Sequence, residues 1–164
     1  MKIGIDFDRV LFDTDSFNKY LKKHTGLHHV ESDVYDRNGN YSPEKHAEAC
    51  GIDVEEVYRT AENAQKFIYS DIEELEKLKP KHRLVLVTRG EQKLQEKKME
   101  KTQVKQLFNE VHIIQEGSKD VDGIEFLVDD RKKEIEDAEL PGMKFNREKH
   151  TAEDIVKQVR KIEG

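Results

Sequence analysis

The stretch Ile3-Gly4-Ile5-Asp6-Phe7-Asp8-Arg9-Val10-Leu11-Phe12-Asp13-Thr14 constrains the chain most. A short apolar strand runs straight into two carboxylates spaced i, i+2. Strand side chains alternate in direction, so Asp6 and Asp8 share a direction only if the backbone stays extended or loops directly after Asp6. Val10, Leu11 and Phe12 then return to apolar character, so the turn tucks back against the core. Two acids at a strand's exit repel each other. At about 4 Å and an effective dielectric near 20 the repulsion is roughly 4 kcal/mol. A divalent metal, a raised pKa, or both would relieve it.

The rest of the chain supplies the sheet such a strand needs. Leu84–Val87 reads as a strand ending at Thr88-Arg89-Gly90, Val111–Ile114 as another, and Ile124–Val128 as a third ending at Asp129-Asp130. Met143–Phe145 reads as a last strand, and Thr151 caps a final helix carrying Ile155, Val156, Val159 and Ile162. Helical stretches alternate with these strands. That pattern predicts an α/β fold with a mostly parallel, Rossmann-like sheet and helices on both faces.

Between the first two strands the character is helical. Phe17, Tyr20 and Leu21 share one face before a stop at Gly26. Ser42-Pro43 starts a helix that Gly51 ends, and Asp53 and Ser70 begin two more. Residues 27–41 read as a loop with a turn at Asn38-Gly39; His28-His29 reads as exposed loop, not a metal site. Two parts are expected: a core of residues 1–13 and 71–164, and a helical cap of 14–70. The 164 residues suffice for one such domain. The Lys/Glu-rich helix over 91–106 reads as a solvated face.

Composition excludes several classes. Hydrophobic residues make up 35% and charged residues 39%, with both signs interspersed at a net charge of −6. That argues against an extended nucleic-acid surface. Cys50 is alone, so no intramolecular disulfide and no cysteine-built zinc site exists. No apolar run reaches the length of a membrane span, and the opening residues, Lys2 followed by a strand that soon reaches carboxylates, are not expected to act as a signal peptide. A soluble, cytoplasmic protein without a membrane partner is expected. Oligomeric state is not legible.

In an open parallel sheet the functional groups collect at the carboxyl ends of the strands. Four strand exits carry Asp6-x-Asp8, Thr88-Arg89-Gly90, Lys119 and Asp129-Asp130. Singly these are ordinary; together on one sheet edge they suit phosphoryl transfer, which needs a nucleophile, a metal and cationic or hydrogen-bonding clamps. Asp6 suits the nucleophile, and Asp8 the acid that protonates the leaving oxygen and then activates water. Asp129, with Asp130 in direct or indirect contact, completes with the first two acids an oxygen-ligand site for Mg2+. Thr88 and Lys119 would hold phosphate oxygens, helped by Arg89. Tyr35, Arg37, Tyr41, Arg59 and Lys66 in the helical segment could contact substrate, and the sequence does not choose among them.

These residues resemble the motifs of the haloacid dehalogenase superfamily of phosphohydrolases. Asp6-Phe7-Asp8-Arg9-Val10-Leu11-Phe12-Asp13-Thr14 is similar to its first motif and Leu86-Val87-Thr88 to its second. Lys119 and Asp129-Asp130 are similar to its third and fourth. The resemblance spans residues 2–13 and roughly 72–145, and its spacing is nearest to deoxynucleotidase-like members. It implies a Rossmann-like core, a helical lid at 14–70, Mg2+ dependence and an aspartyl-phosphate intermediate. A small phosphorylated substrate follows, with nucleoside monophosphates as candidates. Two departures stand out: Arg9 occupies a position where the family usually has Gly, and Lys119 lacks the Pro that often follows. Arg9 at positive φ would be strained. The competing readings are a mutase on a sugar phosphate, a phospho-accepting signalling domain, and a silent binding module with Arg9 blocking the pocket.

Overall fold

The computed structural model describes residues 1–26, 34–121 and 123–164. His28-His29 therefore lies outside the described residues. Five strands form one sheet: β1 (Lys2–Ile5), β2 (Arg83–Arg89), β3 (Glu110–Ile114), β4 (Phe126–Asp129) and β5 (Gly142–Lys144). Their order is β3-β2-β1-β4-β5, and every pairing is parallel. The expected Rossmann-like α/β sheet is what the chain forms, with β1 at its centre.

Central placement explains the composition of β1. Strands buried on both faces read as continuous apolar runs, and Ile3 and Ile5 are fully buried. They pack with Leu84, Leu86, Phe126 and Val128 on one face of the sheet. Val85, Val87 and Ile124 form a smaller cluster. The two strands flanking β1 are its neighbours through registers such as Ile5↔Leu86 and Ile5↔Val128. The carboxyl ends of β1, β2 and β4 thus lie side by side, where a crevice is expected.

The segment between β1 and β2 holds α1 (Thr14–Thr25), α2 (Pro43–Cys50) and α3 (Val54–Arg59). Two 3-10 stretches follow, Thr60–Phe67 and Ile72–Leu78. Asp13 caps α1 through the Ser16 amide and Ser42 caps α2 through the Lys45 amide. Both helices end on a left-handed glycine, Gly26 and Gly51, as the missing Cβ allows. The Asn38-Gly39 turn forms, with Asp36 accepting from the amides of Asn38 and Asn40. Side-chain hydrogen bonds tie this segment to the sheet side, among them Asn40 to the Gln115 carbonyl, Tyr58 to Glu91, and Lys93 to Glu55.

After β2 the expected long helix is divided. Helix α4 covers Gln92–Thr102, Gln103 turns left-handed at φ 56°, and Val104–Leu107 continues as 3-10 helix. The break lets Val104 and Leu107 reach the core, where both are buried. Helices α5 (Lys132–Asp137) and α6 (Ala152–Glu163) complete the fold. Thr151 and Asp154 form a reciprocal capping box at the start of α6. Among the described residues no helix is long and apolar enough to cross a membrane.

Candidate active site

The chain leaves β1 in a tight loop. The Asp6 amide bonds to the Val128 carbonyl of β4 at 2.9 Å, which keeps Asp6 in register with the sheet. The Phe7 carbonyl then accepts from the amides of Val10, Leu11 and Phe12, folding 7–12 back on itself. The loop is pinned from outside by Asp13 N–H to the Phe67 carbonyl and Tyr69 N–H to the Leu11 carbonyl. Arg9 sits in the left-handed region at φ 64°, a conformation costly for a residue with a Cβ. It is retained because the Arg9 amide donates to the Phe12 carbonyl and to Thr14 Oγ1. The Arg9 guanidinium turns to Asp15 at 3.1 Å.

This loop and the exits of β2 and β4 bring the sequence-predicted acids together. Carboxylate oxygens of Asp6, Asp129 and Asp130 all lie within 4.8 Å of one another. Asp6 and Asp129 are buried. Lys119, only 2% exposed, reaches between them: its ammonium lies 2.9 Å from Asp6 Oδ1 and 2.6 Å from Asp129 Oδ2. The other oxygen of Asp129 accepts from the Arg131 amide.

The electrostatics follow from that geometry. One ammonium faces three carboxylates, so the cluster is short of positive charge. Burial raises the Asp6 pKa most; Lys119 opposes it, and Asp129, Asp8 and Asp130 push it further, leaving Asp6 well above the ordinary carboxyl value. Asp129 is raised for the same reason, burial outweighing Lys119. Burial would lower Lys119, but Asp6 and Asp129 outweigh it and hold the ammonium charged. An oxygen-only, anionic donor set suits a hard divalent cation such as Mg2+. A bound dication would reverse the shift of the acids.

Asp8 belongs to a different network. Its Oδ1 accepts from Thr14 Oγ1 at 2.9 Å and lies 3.4 Å from the Lys98 ammonium; its Oδ2 accepts from Gln95 Nε2 at 2.9 Å. Burial pushes Asp8 up, yet Lys98 and the hydrogen bonds from Gln95 and Thr14 outweigh it, and the carboxyl sits below its ordinary value. Two neighbouring acids are thus driven in opposite directions, Asp6 by burial among other acids and Asp8 by a cation and hydrogen-bond donors of its own.

Gln95 and Lys98 correct the expectation that helix 91–106 is a solvated face. Both are buried, beside Leu94 and Met99 on the inward side of α4. Glu91 caps that helix through the amides of Lys93 and Leu94, which aims this face at Asp8. Thr88 is fully buried at the end of β2. Its hydroxyl accepts from Gln95 Nε2 at 2.7 Å, so one amide bridges Thr88 and Asp8. Arg89 is held in a bidentate pair with Glu134, at 2.9 and 3.1 Å, and donates to the Gly117 carbonyl. Glu134 in turn lies 3.5 Å from Lys119. Its own pKa is lowered, burial being outweighed by Arg89 and Lys119.

A cavity of about 700 Å3 opens above these groups. Its floor includes Asp6, Asp8, Lys119 and Asp129; Asn18, Tyr35 and Tyr41 line it from the segment between β1 and β2. Arg37, Arg59 and Lys66 are not among the lining residues. Buried His46 accepts or donates to Tyr41 OH and to Thr25 Oγ1, and fixes that wall.

No protein-family model and no curated protein sequence matches the chain. Solved structures do. A putative HAD-hydrolase, YfnB from Bacillus subtilis bound to magnesium, superposes with a TM-score of 0.61 at 11% identity, over 92% of this chain and 88% of that one. The fold is that of the haloacid dehalogenase-like hydrolases. A second haloacid dehalogenase-like structure is a Bacteroides thetaiotaomicron enzyme, an aspartate-to-alanine mutant in complex with magnesium and inorganic phosphate. It gives 0.61 at 16% identity, covering 87% of this chain and 92% of that one. A third with this fold, a putative β-phosphoglucomutase from Thermotoga maritima, gives 0.55 at 18% identity, over 84% and 80%.

Proposed function

We propose that the chain is a magnesium-dependent phosphatase of the haloacid dehalogenase type, hydrolysing a small phosphate monoester through an aspartyl-phosphate on Asp6. Nucleoside monophosphates are the first substrates to try. The observation that carries this reading is the convergence of Asp6, Asp129, Asp130 and the buried Lys119 ammonium on one cavity floor. A magnesium ion held by Asp6, Asp129 and Asp130 would supply positive charge for the phosphate oxygens and for Asp6. Residues 14–70 act as a cap that covers the cavity and excludes bulk water.

The chain's own groups then divide the work. An Asp6 carboxylate oxygen attacks phosphorus, the bond from phosphorus to the ester oxygen breaks, and that oxygen takes a proton from Asp8. Water next attacks the aspartyl-phosphate, its proton returns to Asp8, and inorganic phosphate leaves with Asp6 regenerated. Asp8 must carry a proton in the first step. The substrate's negative charge raises its pKa, and a phosphate monoanion brings the proton. Lys119 keeps Asp6 and Asp129 in place and offers its remaining charge to a phosphate oxygen. Thr88, whose hydroxyl accepts from Gln95, retains its own proton to donate to another. Arg89, tied to Glu134, serves this site by neutralising a third acid beside Lys119.

Transfer to a sugar hydroxyl in place of water is the second reading, favoured by Asn18, Tyr35 and Tyr41, which line the cavity from the segment between β1 and β2. Phosphate release from a panel of nucleotides and sugar phosphates, with and without Mg2+, tests both. Mg2+-dependent release that is lost in Asp6→Asn supports the phosphatase. Release that persists in Asp6→Asn removes the nucleophile, and isomerised sugar phosphate without release favours the mutase.

A further inference from the structure

We propose that Lys98, with Gln95, is a positioning residue that aims the Asp8 carboxyl at the leaving-group oxygen, an inference that rests on the phosphatase reading above. A lysine that is 5% exposed gives up most of its hydration and is rare unless something compensates. The compensation here is specific. The Lys98 ammonium lies 3.4 Å from Asp8 Oδ1 and over the faces of Phe12 and Phe17, at 5.3 and 5.0 Å from their centroids. Both rings belong to the elements that hold the Asp8 loop, Phe12 in the loop itself and Phe17 in α1. The aromatic faces attract the cation without competing for Asp8.

Around one carboxylate the donors come from two separate elements. Thr14 begins α1 and takes Oδ1; Lys98 on α4 faces the same oxygen; Gln95, one turn earlier, takes Oδ2. Gln95 and Lys98 are three residues apart, so they share one face of α4. That arrangement fixes both the position and the plane of the carboxyl. The other acids have Lys119, while Asp8 has Lys98. A proton donor misplaced by about 1 Å can lose roughly 100-fold in rate, so a group that holds Asp8 in place is visible in the chemical step.

The test reads leaving-group dependence. For wild type, Lys98→Met and Lys98→Arg, kcat/KM is measured with Mg2+ on p-nitrophenyl phosphate, whose leaving group needs no proton. It is measured in parallel on a nucleoside 5′-monophosphate or glycerol phosphate, whose alkoxide does. Lys98→Met is expected to lose about 100-fold on the alkyl ester and less than about tenfold on the aryl ester. The inhibition constant of inorganic phosphate stays within about twofold, and Lys98→Arg recovers most of the loss. The alkyl-to-aryl ratio within one sample does not depend on the folded fraction. If Lys98→Met does not fold, Gln95→Leu is read by the same ratio. Equal losses on both esters, or a phosphate inhibition constant rising in step with the loss, overturn the proposal. Wild-type protein inactive on every ester overturns the phosphatase reading and this one together; an active wild type with an unmoved ratio overturns this one alone.

Discussion

Removing the Lys119 ammonium should destabilise the metal-free protein severely, and magnesium should restore part of the loss. In Lys119→Met the aliphatic stem keeps its packing while the charge disappears. The ammonium lies within 2.9 Å of Asp6 and 2.6 Å of Asp129, both buried, and 3.5 Å from Glu134. Breaking a buried pair by deleting one partner costs about 3–5 kcal/mol, because the remaining charge is left without compensation. Here at least two carboxylates are left, but Asp6 and Asp129 already have raised pKa values, so taking up a proton limits the penalty. The lower part of that range, about 3 kcal/mol, is the expectation at neutral pH. For a chain of this length each kcal/mol moves Tm by about 2–4 °C, so a drop of roughly 6–12 °C follows. Thermal melts followed by circular dichroism in chelator, at pH 7, measure it. Repeating them at pH 5 should shrink the difference, since the orphaned acids protonate, and adding Mg2+ at pH 7 should raise the variant's Tm. A variant within about 2 °C of wild type in chelator at pH 7 would refute the claim that Lys119 holds the acids together.

Three further outcomes follow from the same geometry. Asp6 and Asp129 carry raised folded-state pKa values, so between the ordinary carboxyl range and those values the unfolded chain binds fewer protons. Metal-free stability should therefore fall as pH rises from about 4 toward neutrality; a Tm shift on adding Mg2+ that is no larger at pH 7.5 than at pH 5 would count against the site. The lowered acids act in the other window: stability from Asp8, Asp71 and Glu134 is lost only as pH falls through their folded values, below the ordinary range. Arg9→Gly relieves a left-handed residue at φ 64° and gives up an exposed pair with Asp15. With about 1–2 kcal/mol of backbone relief against about 0.4–1 of added chain entropy and about 0–1 for the exposed pair, urea unfolding should show a change between about 1 kcal/mol of loss and about 1.5 of gain. A loss beyond that would mean Arg9 holds the loop by contacts other than those described.

How far these features are legible in the residues depends on the kind of signal. The strands are legible because burial on both faces demands apolar runs, as in Leu84–Val87. The acids at their ends are legible because each directly follows such a run. Register is harder to see, yet a central β1 is what brings Asp6 beside Asp129. The inward face of α4 is hidden by composition. Gln95 and Lys98 flank Leu94 and Met99 at helical spacing, but a helix dense in lysine and glutamate looks wholly solvated. Thr14 closes the first motif, but nothing local shows that its hydroxyl reaches Asp8. Arg89 directly follows the second motif and reads as a phosphate contact. Its tie to Glu134, forty-five positions later, depends on a tertiary approach that no local pattern encodes.

The phosphorylated residue itself offers the sharpest test. Asp8→Asn removes the base for the second step, so an intermediate formed with an activated aryl phosphate should accumulate. Acid-quenched protein, digested and analysed by mass spectrometry after exposure to p-nitrophenyl phosphate and Mg2+, should carry one phosphoryl group on the peptide containing Asp6. Phosphoryl transfer to a different residue, or turnover of the wild type with no phosphorylated peptide in either protein, would contradict the account.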